Sequence, residues 1–249
     1  MIAATAPDPA TVPLRLVQAC CRAVPVSGAA LSLMTSAGGP GSLLTASDRI
    51  AAAVEELQFD LGEGPGLDAA RGGSPVLVAD LAGAAGHRWP VFAATAARRG
   101  VAAVFAYPLR MGSVALGVLE LYRDRAGPLD DAGQAEASAC AVLATTLVLQ
   151  LQSALTAAGP VPLDAPEEAR IALADDRAVV HQASGIVSVS AHVGVGQALV
   201  LLRGRAYAEG RALDELAADV VTGRVLLDGT GRDHHDRPRD GHGDERDFR

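Results

Sequence analysis

The spacing of apolar residues predicts a mixed helix-and-strand region followed by a purely helical one. Five short apolar runs predict β-strands, and the first two flank the turn SAGGPG as in a hairpin. The five runs are Ala29–Thr35, Ser42–Ala46, Pro75–Ala79, Val101–Leu109 and Ser113–Tyr122. The continuous run Val101–Leu109 predicts a central strand covered on both faces, whereas the alternation in GVLELY predicts a strand with one wetter face.

Four segments of this region follow helical spacing. The first spans Pro9–Val24, and the second begins after Ser47, a good N-cap, and extends to about Leu57. A third, Trp89–Arg99, ends at Gly100. The fourth, Asp130–Leu155, is almost wholly apolar over its second half, so we expect another surface, such as a partner subunit, to cover it.

The chain changes character beyond residue 155. Three prolines between Ala157 and Ala169 predict a linker, and three helical patterns without a strand follow. The last 21 residues have almost no apolar side chain, which predicts disorder. We therefore expect an α+β domain at 10–155, a linker at 156–169, an all-α domain at 170–228 and a disordered tail at 229–249.

Charge and cysteine content exclude several classes of protein. The formal net charge is −8, and residues 170–228 hold six arginines against seven acidic residues, so composition alone does not indicate nucleic-acid binding. Cys20, Cys21 and Cys140 have neither zinc-site nor disulfide-framework spacing, so we expect reduced thiols and no metal. The first 13 residues lack signal-peptide features, and the apolar run Ala139–Leu151 is shorter than the roughly 20 residues that cross a bilayer. We expect a cytoplasmic protein with no membrane partner.

Motifs that carry chemistry are sparse. LGEGPG (Leu61–Gly66) looks like a phosphate-binding glycine loop, but it follows a helical pattern rather than a strand, and a tight turn is the simpler interpretation. His234, His235 and His242 lie in the predicted tail without thiols, where solvated side chains explain them better than a metal site. The sequence has no GxSxG, HExxH or kinase signature, so we expect no enzyme activity.

The first region resembles the GAF domains of bacterial regulators. The resemblance is carried by ELQFDLGEGPGLDA, then PVLVADL, HRWPVFAATAARRGV, a YPL strand and a GVLELY strand, and it covers about residues 10–155. It implies an antiparallel sheet flanked by helices, a pocket on one sheet face for a small molecule, and dimerisation through the terminal helices. It does not identify the ligand.

The region Asp175–Val221 resembles an ANTAR domain, the RNA-binding output module of transcription antiterminators. The resemblance lies in the step Ala183-Ser184-Gly185, in Ala198 with Leu201-Leu202-Arg203, and in the register of the third helix. The helix-packing residues that it implies are Ala183, Gly185, Ala198, Leu202, Leu213, Leu216 and Ala217. Glycine inside a helix costs about 1 kcal/mol relative to alanine, so we expect Gly185 to let another helix approach the backbone closely. A fortuitous glycine at a bend is the alternative.

The resemblance also implies a set of RNA-contacting residues. They are Arg177, Ser184, Arg203, Arg205, Tyr207 and Arg211. Arginine forks suit phosphate and guanine, and tyrosine can stack on a splayed base. The common pattern of the family has lysine at the position of Ser184, which removes one cation here. For each arginine alone a solvated helix face is an equally good explanation, and Arg203 and Arg205 diverge by about 200° around a straight helix.

Together the two resemblances imply a cytoplasmic, dimeric regulator. Its first domain would sense a small molecule, and its second would bind leader-transcript RNA hairpins and promote antitermination; no DNA partner is expected. The alternative is a helical domain that serves dimerisation or protein docking without RNA binding, because Ser184 and the negative charge both weaken an RNA site. A GAF-linked enzyme acting on its own ligand is a third interpretation.

Overall fold

The computed structural model describes residues 11–35, 39–83, 85–158 and 177–227. The chain divides into two compact units, Met1–Ala178 and Val179–Arg249. The expected linker lies outside the described residues from 159 onward, as does the expected tail at 229–249. Residues 156–158, also assigned to the linker, belong instead to the long helix that precedes it.

The described part of the first unit contains six helices and five strands. In chain order they are α1 (Val12–Ala23), β1 (Gly28–Met34), β2 (Pro40–Ala46), α2 (Arg49–Leu61), α3 (Pro65–Gly72), β3 (Val76–Val78), α4 (Ala85–Arg88), α5 (Pro90–Arg98), β4 (Ala103–Met111), β5 (Val114–Arg123) and α6 (Asp131–Ala158). All five predicted strands form, with bounds shifted by one or two residues. The α+β class expected for this region is therefore confirmed.

The five strands form one antiparallel sheet in the order β2-β1-β5-β4-β3. The central strand is β5, where Glu120 pairs with Ala30 of β1 on one side and with Ala106 of β4 on the other. The run Val101–Leu109 is expected to form a central strand covered on both faces, and this is confirmed, because β4 lies inside the sheet between β5 and β3 and its residues 103–107 are all buried. The two longest strands in the described sheet are neighbours, which explains why both are so apolar.

Helices cover both faces of the sheet. On one face, α1 and α6 pack on residues such as Phe105, Leu119 and Leu121, each no more than 1% exposed. On the other face, α2, α3 and α5 pack on the side chains that alternate with these, including Val104 and Tyr122. The expected wet face of GVLELY is therefore absent, because residues 116–122 are all buried. Its alternation has a different cause, described below.

The N-cap of helix α2 lies one residue later in the chain than predicted. Asp48, not Ser47, caps it, since Oδ1 of Asp48 accepts hydrogen bonds from the amides of Ile50 and Ala51 at 2.8 and 2.9 Å. The Ser47 hydroxyl accepts instead from the amide of Ala29 and donates to Asp48. A carboxylate is favoured there because the helix N-terminus carries partial positive charge.

The long helix α6 has one buried side and one exposed apolar side. Ala137, Ala144 and Val148 are 0–1% exposed in the core, whereas Val142 and Leu143 are 66% and 59% exposed. By length and composition the stretch Asp131–Ala154 passes as a membrane span, a test that core helices of soluble proteins also pass. The sheet and α1 thus cover one side of this apolar helix, and residues such as Val142 and Leu143 face outward.

The second unit contains three helices among its described residues: α7 (Ala178–Ser190), α8 (Val195–Glu209) and α9 (Leu213–Val221). The axes of α7 and α8 differ by 107°, and Gly210, in the left-handed region at φ 63°, ends α8. Its buried apolar side chains are Val180, Ala183, Val187, Ala198, Leu199, Leu202, Ala206, Leu213, Leu216, Ala217 and Val220. Six of the seven expected helix-packing residues are in this set, and Gly185 is not.

Candidate functional site

Four polar side chains are buried together where α2 crosses the central part of the sheet. We call Ser32 of β1, Glu120 of β5, and Glu55 and Gln58 of α2 the polar cluster; each is 2–6% exposed. Burying polar groups costs free energy unless they find partners. Apolar residues could have filled the same layer, so the polar cluster is the part of the first unit that asks for a functional explanation.

Gln58 connects the polar cluster to the next helix. Its Nε2 donates to both carboxylate oxygens of Glu120, at 2.8 and 2.9 Å. Its Oε1 accepts a hydrogen bond from the backbone amide of Gly66, at the start of α3, at 2.8 Å. One buried amide thus ties α2, β5 and α3 together and holds the Glu120 carboxyl in a defined position.

The segment LGEGPG brings α3 against the polar cluster. Gly62 ends α2 at φ 69°, Gly64 precedes α3 at φ 145°, and Pro65 is the first residue of α3. A side chain at Gly66 would place its Cβ 2.8 Å from Oε2 of Glu120. The segment is therefore a tight turn between two helices, as predicted, and not a phosphate-binding loop. Its last glycine, Gly66, leaves room for the buried carboxyl of Glu120.

Glu63 of the same segment stabilises a further helix. Its Oε1 accepts a hydrogen bond from the amide of Phe92 at 3.0 Å, in the first turn of α5. The N-cap position of α5 is Trp89, which makes no side-chain cap. A carboxylate from a distant turn therefore does the work of a cap and fixes α5 beside α3.

Burial favours the neutral form of both carboxyls in the polar cluster. Burial raises the pKa of Glu120 well above its usual range, the nearby Glu55 raises it further, and the hydrogen bond from Gln58 opposes the shift. Burial also raises the pKa of Glu55, against a hydrogen bond with Ser32 and the positive charge of Arg177. Burial and their proximity disfavour a negative charge on both carboxyls at once, and Glu55 is the one that a positive charge, Arg177, stabilises in its ionised form.

The side chain of Arg177 lies against the polar cluster and lines the same cavity as Glu55 and Gln58. Its guanidinium lies 3.9 Å from the centroid of the Phe59 ring, its Nη1 donates to the carbonyl of Gly41, and its Nη2 lies 3.5 Å from the carbonyl oxygen of Glu55. Arg177 belongs to the first unit and is only 9% exposed. The expectation that Arg177 contacts RNA is therefore not met in this conformation, because its side chain is buried against a sheet domain.

With Arg177 in place, little free space remains. The residues that line the cavity include Ser32, Glu55, Gln58, Phe59 and Gly66, and the volume left beside Arg177 is about 10 Å³. A cavity of that size holds about one water molecule at most. The Oε1 of Glu55 is buried there and makes no hydrogen bond to any residue that the structure describes.

In the second unit, two of the expected RNA-contacting arginines form ion pairs. Arg205 pairs with Glu209 one helical turn away. Arg211 lies 3.5 Å from Glu209 and donates to Asp219 at 2.5 Å. The hydrogen bond from Arg211 lowers the pKa of Asp219. Carboxylates therefore neutralise part of the positive charge that the sequence assigns to this surface.

The other three residues expected to contact RNA differ in their solvent exposure. Tyr207 is 68% exposed and free to stack on a base, whereas Arg203 is half-buried on the same helix. Ser184 is 1% exposed, and its hydroxyl donates to the carbonyl of Val180 at 2.7 Å. Ser184 is thus a core residue of α7 and not a surface contact, which corrects its expected role.

Gly185 is helical but does not mediate a close helix approach. A Cβ built at this position meets no heavy atom within 4 Å among the described residues, and the residue is half-exposed. The buried face of α7 is formed by Val180, Ala183, Ser184 and Val187. The expected tight crossing at Gly185 is therefore not found, because Gly185 lies one position round the helix from the packed face.

Sequence reasoning missed the polar cluster altogether. The sequence feature that could have revealed it is Glu120, an acidic residue inside the apolar strand GVLELY. The alternation that Glu120 creates predicts solvent exposure instead. Its burial depends on α2 and α3, which no local pattern reveals. Glu55 and Gln58 carried the same kind of signal, since α2 places both on its buried side with Val54 and Phe59.

Thiols and metal-binding groups add no second site to the described residues. Cys20 of α1 and Cys140 of α6 are buried in the core between these helices and the sheet, and Cys21 is half-buried; all three are free. Burial raises the pKa of the Cys20 thiol, and a hydrogen bond with Cys140 adds to the shift. Within the ranges that the structure describes, no group of three or more His, Cys, Asp or Glu side chains could hold a metal ion. His234, His235 and His242 lie outside those ranges.

The chain is similar to GAF domains of known structure. A GAF domain of a phosphoenolpyruvate-protein phosphotransferase from Acinetobacter aligns at 10% identity with a TM-score of 0.48, over 60% of this chain and 87% of that one. A GAF domain/HD domain protein from Geobacter sulfurreducens aligns at 16% and 0.43, over 58% and 94%. A Synechocystis GAF domain in its photoproduct state aligns at 16% and 0.45, over 61% and 98%.

These similarities describe a likeness of fold over about three-fifths of the chain. At such identities and TM-scores they assign neither a ligand nor an activity. No protein-family model matches the chain, and no curated protein matches it.

Proposed function

We propose that this protein is a signal-responsive regulator in which the first unit senses a small molecule and the second binds RNA hairpins to promote transcription antitermination. The proposal places it in the cytoplasm and gives it no catalytic role. The sensing half is supported by the polar cluster and the RNA-binding half by the resemblance to ANTAR domains.

The observation that carries the sensing half is the buried polar cluster on one face of an otherwise apolar sheet. Ser32, Glu55 and Gln58 line one small cavity, and Gln58 is hydrogen-bonded to the buried carboxyl of Glu120. Ligand sites are mostly apolar pockets with a few convergent polar groups of this kind. The GAF resemblance of ELQFDLGEGPGLDA includes Glu56 to Ala69, the segment that shapes the cavity's edge.

The RNA-binding half rests on α8 and the turn that follows it. Tyr207 is exposed for stacking, and Arg203, Arg205 and Arg211 supply cations along the same segment. The pairs with Glu209 and Asp219 are between partly exposed groups, and exposed pairs contribute little free energy. A phosphate can therefore replace the carboxylates as partner of Arg205 and Arg211 at small cost.

The test is binding of the purified full-length chain to leader RNAs with paired hairpins, against the same RNAs with scrambled loops. We expect loop-selective binding whose logarithmic affinity falls linearly with the logarithm of salt concentration. The double variant Arg203→Ala/Arg211→Ala should lose at least about tenfold in affinity, two lost charged contacts of about 1 kcal/mol or more each. Arg98→Ala, which removes an exposed arginine of the first unit bonded to Thr95, is the matched control and should bind normally.

We also propose a homodimer, and the outward apolar side of α6 supports it. Val142 and Leu143 are more than half exposed on a helix whose other side is in the core, and a second copy of α6 presents the same surface. Val142→Glu combined with Leu143→Glu should convert a dimer to a monomer in sedimentation or native mass spectrometry. Glu136→Gln, on the same helix, should leave the dimer intact. Native mass spectrometry of protein purified from its own host also reports any retained ligand.

The docking alternative is favoured by one observation, the apolar surface of the second unit. Val189, Val195 and Val200 are 56–77% exposed, and a protein partner would cover them. If the double arginine variant regulates normally in cells and the RNAs show no selective binding, the second unit serves docking. If loop-selective binding is observed, the docking alternative is excluded as the main role.

A further inference from the structure

The contacts of Arg177 indicate what kind of ligand the cavity beside the polar cluster can bind. Arg177 is held by three kinds of contact: the face of Phe59, the carbonyls of Gly41 and Glu55, and the charge of the Glu55 carboxyl. A flat cation that stacks on an aromatic ring and donates to carbonyl oxygens in its own plane is what this cradle accepts.

The charges around the cavity select the sign of an occupant. Glu55 projects from α2 and Glu120 from β5, and Arg177 is the positive group that faces Glu55. If Arg177 were to leave, an anion entering in its place would meet the buried carboxyl of Glu55 in the cavity wall, whereas a cation would restore the pairing that Arg177 provides.

One acceptor in the cavity is also unused. Oε1 of Glu55 makes no hydrogen bond to a described residue, although the side chain is only 6% exposed. A buried acceptor without a partner is costly, and it lies in the wall of the cavity that Arg177 closes. A ligand that reaches deeper than Arg177 can satisfy it.

We propose that the cavity of the first unit binds a small guanidinium compound, and that Arg177 is an internal competitor that occupies the same cradle in its absence. This inference rests on the proposed sensing function and names its ligand class. The ligand guanidinium stacks on Phe59, donates to the carbonyls of Gly41 and Glu55, and donates to Oε1 of Glu55.

The consequence for signalling follows from chain connectivity. Arg177 is directly followed by α7, the first helix of the group that includes Ala183 and Val187. A ligand that displaces Arg177 releases the residue that precedes this helix. Binding in the first unit is thereby coupled to the start of the second through a competition for one site, with no new contact required.

The experiment compares ethylguanidinium with its neutral isostere ethylurea at millimolar concentration, by titration calorimetry on the full-length chain. Ethylguanidinium should bind Arg177→Ala more tightly than the unmodified chain, by about tenfold if Arg177 fills the cradle nine-tenths of the time. Ethylurea should bind neither protein with comparable affinity. Glu55→Gln in the Arg177→Ala background should weaken ethylguanidinium binding by about tenfold, since it removes a charged acceptor.

Arg99→Ala is the matched control. Nη1 of Arg99 donates to the carbonyl of Ala53 at 2.6 Å, so it is also an arginine bonded to the backbone of α2, but outside the cavity. Its loss should leave ethylguanidinium affinity at the value of the unmodified chain. Equal affinity of the unmodified and Arg177→Ala chains, or equal binding of ethylurea and ethylguanidinium, overturns the inference.

A folding defect does not remove the test. If Arg177→Ala does not fold alone, recovery of its melting transition by ethylguanidinium and not by ethylurea supports the proposal, and failure of both contradicts it. The outcome is also separate from the RNA test. Selective hairpin binding without guanidinium competition overturns only this inference, and guanidinium competition without hairpin binding overturns only the proposed RNA output.

Discussion

Each unit has a glycine inside a helix, but only the glycine of the first unit is needed for close packing. Gly66 lies at the start of α3, where an added Cβ would come within 2.8 Å of the Glu120 carboxylate. Gly185 lies in the middle of α7, where an added Cβ meets nothing within 4 Å among described residues. The motif around each is equally conspicuous in the sequence, so the presence of a helical glycine does not itself indicate close packing.

The difference arises from which side of the helix faces a neighbour. Gly66 is turned toward β5, and its amide bonds to Gln58, so the backbone must come close. In α7 the packed side runs through Ala183 and Val187, which are fully buried. One residue of helix advance rotates a position by about 100°, and this is enough to turn Gly185 away from the core.

The largest expected effect tests what holds the second unit together. Leu202 is fully buried and Leu201 is 39% exposed, on the same helix. Leu202→Ala should lower the stability of α7–α9 by about 2–5 kcal/mol because it leaves a cavity. Amide hydrogen exchange in the full-length chain measures this, and Leu201→Ala should have a small effect. Similar losses for both variants would contradict the packing described for α8.

The next effect concerns Gly66. Gly66→Ala should lower the free energy of unfolding by about 1–3 kcal/mol, since the new methyl group displaces the carboxyl of Glu120 or the amide of Gln58. Urea denaturation provides the measurement. Gly72→Ala is the control in the same helix, because its Cβ would meet nothing within 4 Å. If the two alanine variants were equally stable, Gly66 would not be constrained by the polar cluster.

A pH series tests the buried carboxyls. The folded-state pKa of Glu120 is raised, so its contribution to stability is fully present below the unfolded-state pKa and is lost as the pH rises toward the folded-state value. Glu120→Gln should therefore gain stability relative to the unmodified chain as the pH rises above about 4, the unfolded-state pKa of a glutamate, by about 1.4 kcal/mol for each unit of pKa difference. Glu56→Gln, an exposed change on α2, should follow the unmodified chain. A pH-independent difference for Glu120→Gln would contradict the burial of its charge.

The smallest effect has the opposite sign. Gly185→Ala should stabilise α7 by up to about 1 kcal/mol, because alanine has the higher helix propensity and nothing obstructs its methyl group. Thermal unfolding and α7 hydrogen exchange report the change. Gly210→Ala should instead destabilise α8, since Gly210 is at φ 63°. A destabilising Gly185→Ala would mean that a partner outside the described chain approaches α7 at this residue.

Local patterns in the sequence were sufficient to predict much of the fold. The five strands, four helices of the first unit and the three helices of the second follow from apolar spacing and from glycine and proline positions, whereas α3 and the short α4 are not predicted. Such patterns encode whether a segment can form a helix or strand with a buried side, and this is a property of neighbouring residues. Leu202 and Leu216, for example, are fully buried at the positions where the helical period predicts them.

The candidate site was decided by the tertiary structure. Glu120 looks the same in sequence whether its side of the strand faces water or a helix, and only the packing of α2 and α3 makes it buried. Arg177 is 118 residues from Phe59 in the chain and stacks on it nonetheless. Spacing along a chain determines which residues share a face, but the partner of that face is set by contacts between distant segments, whose energies no local pattern contains.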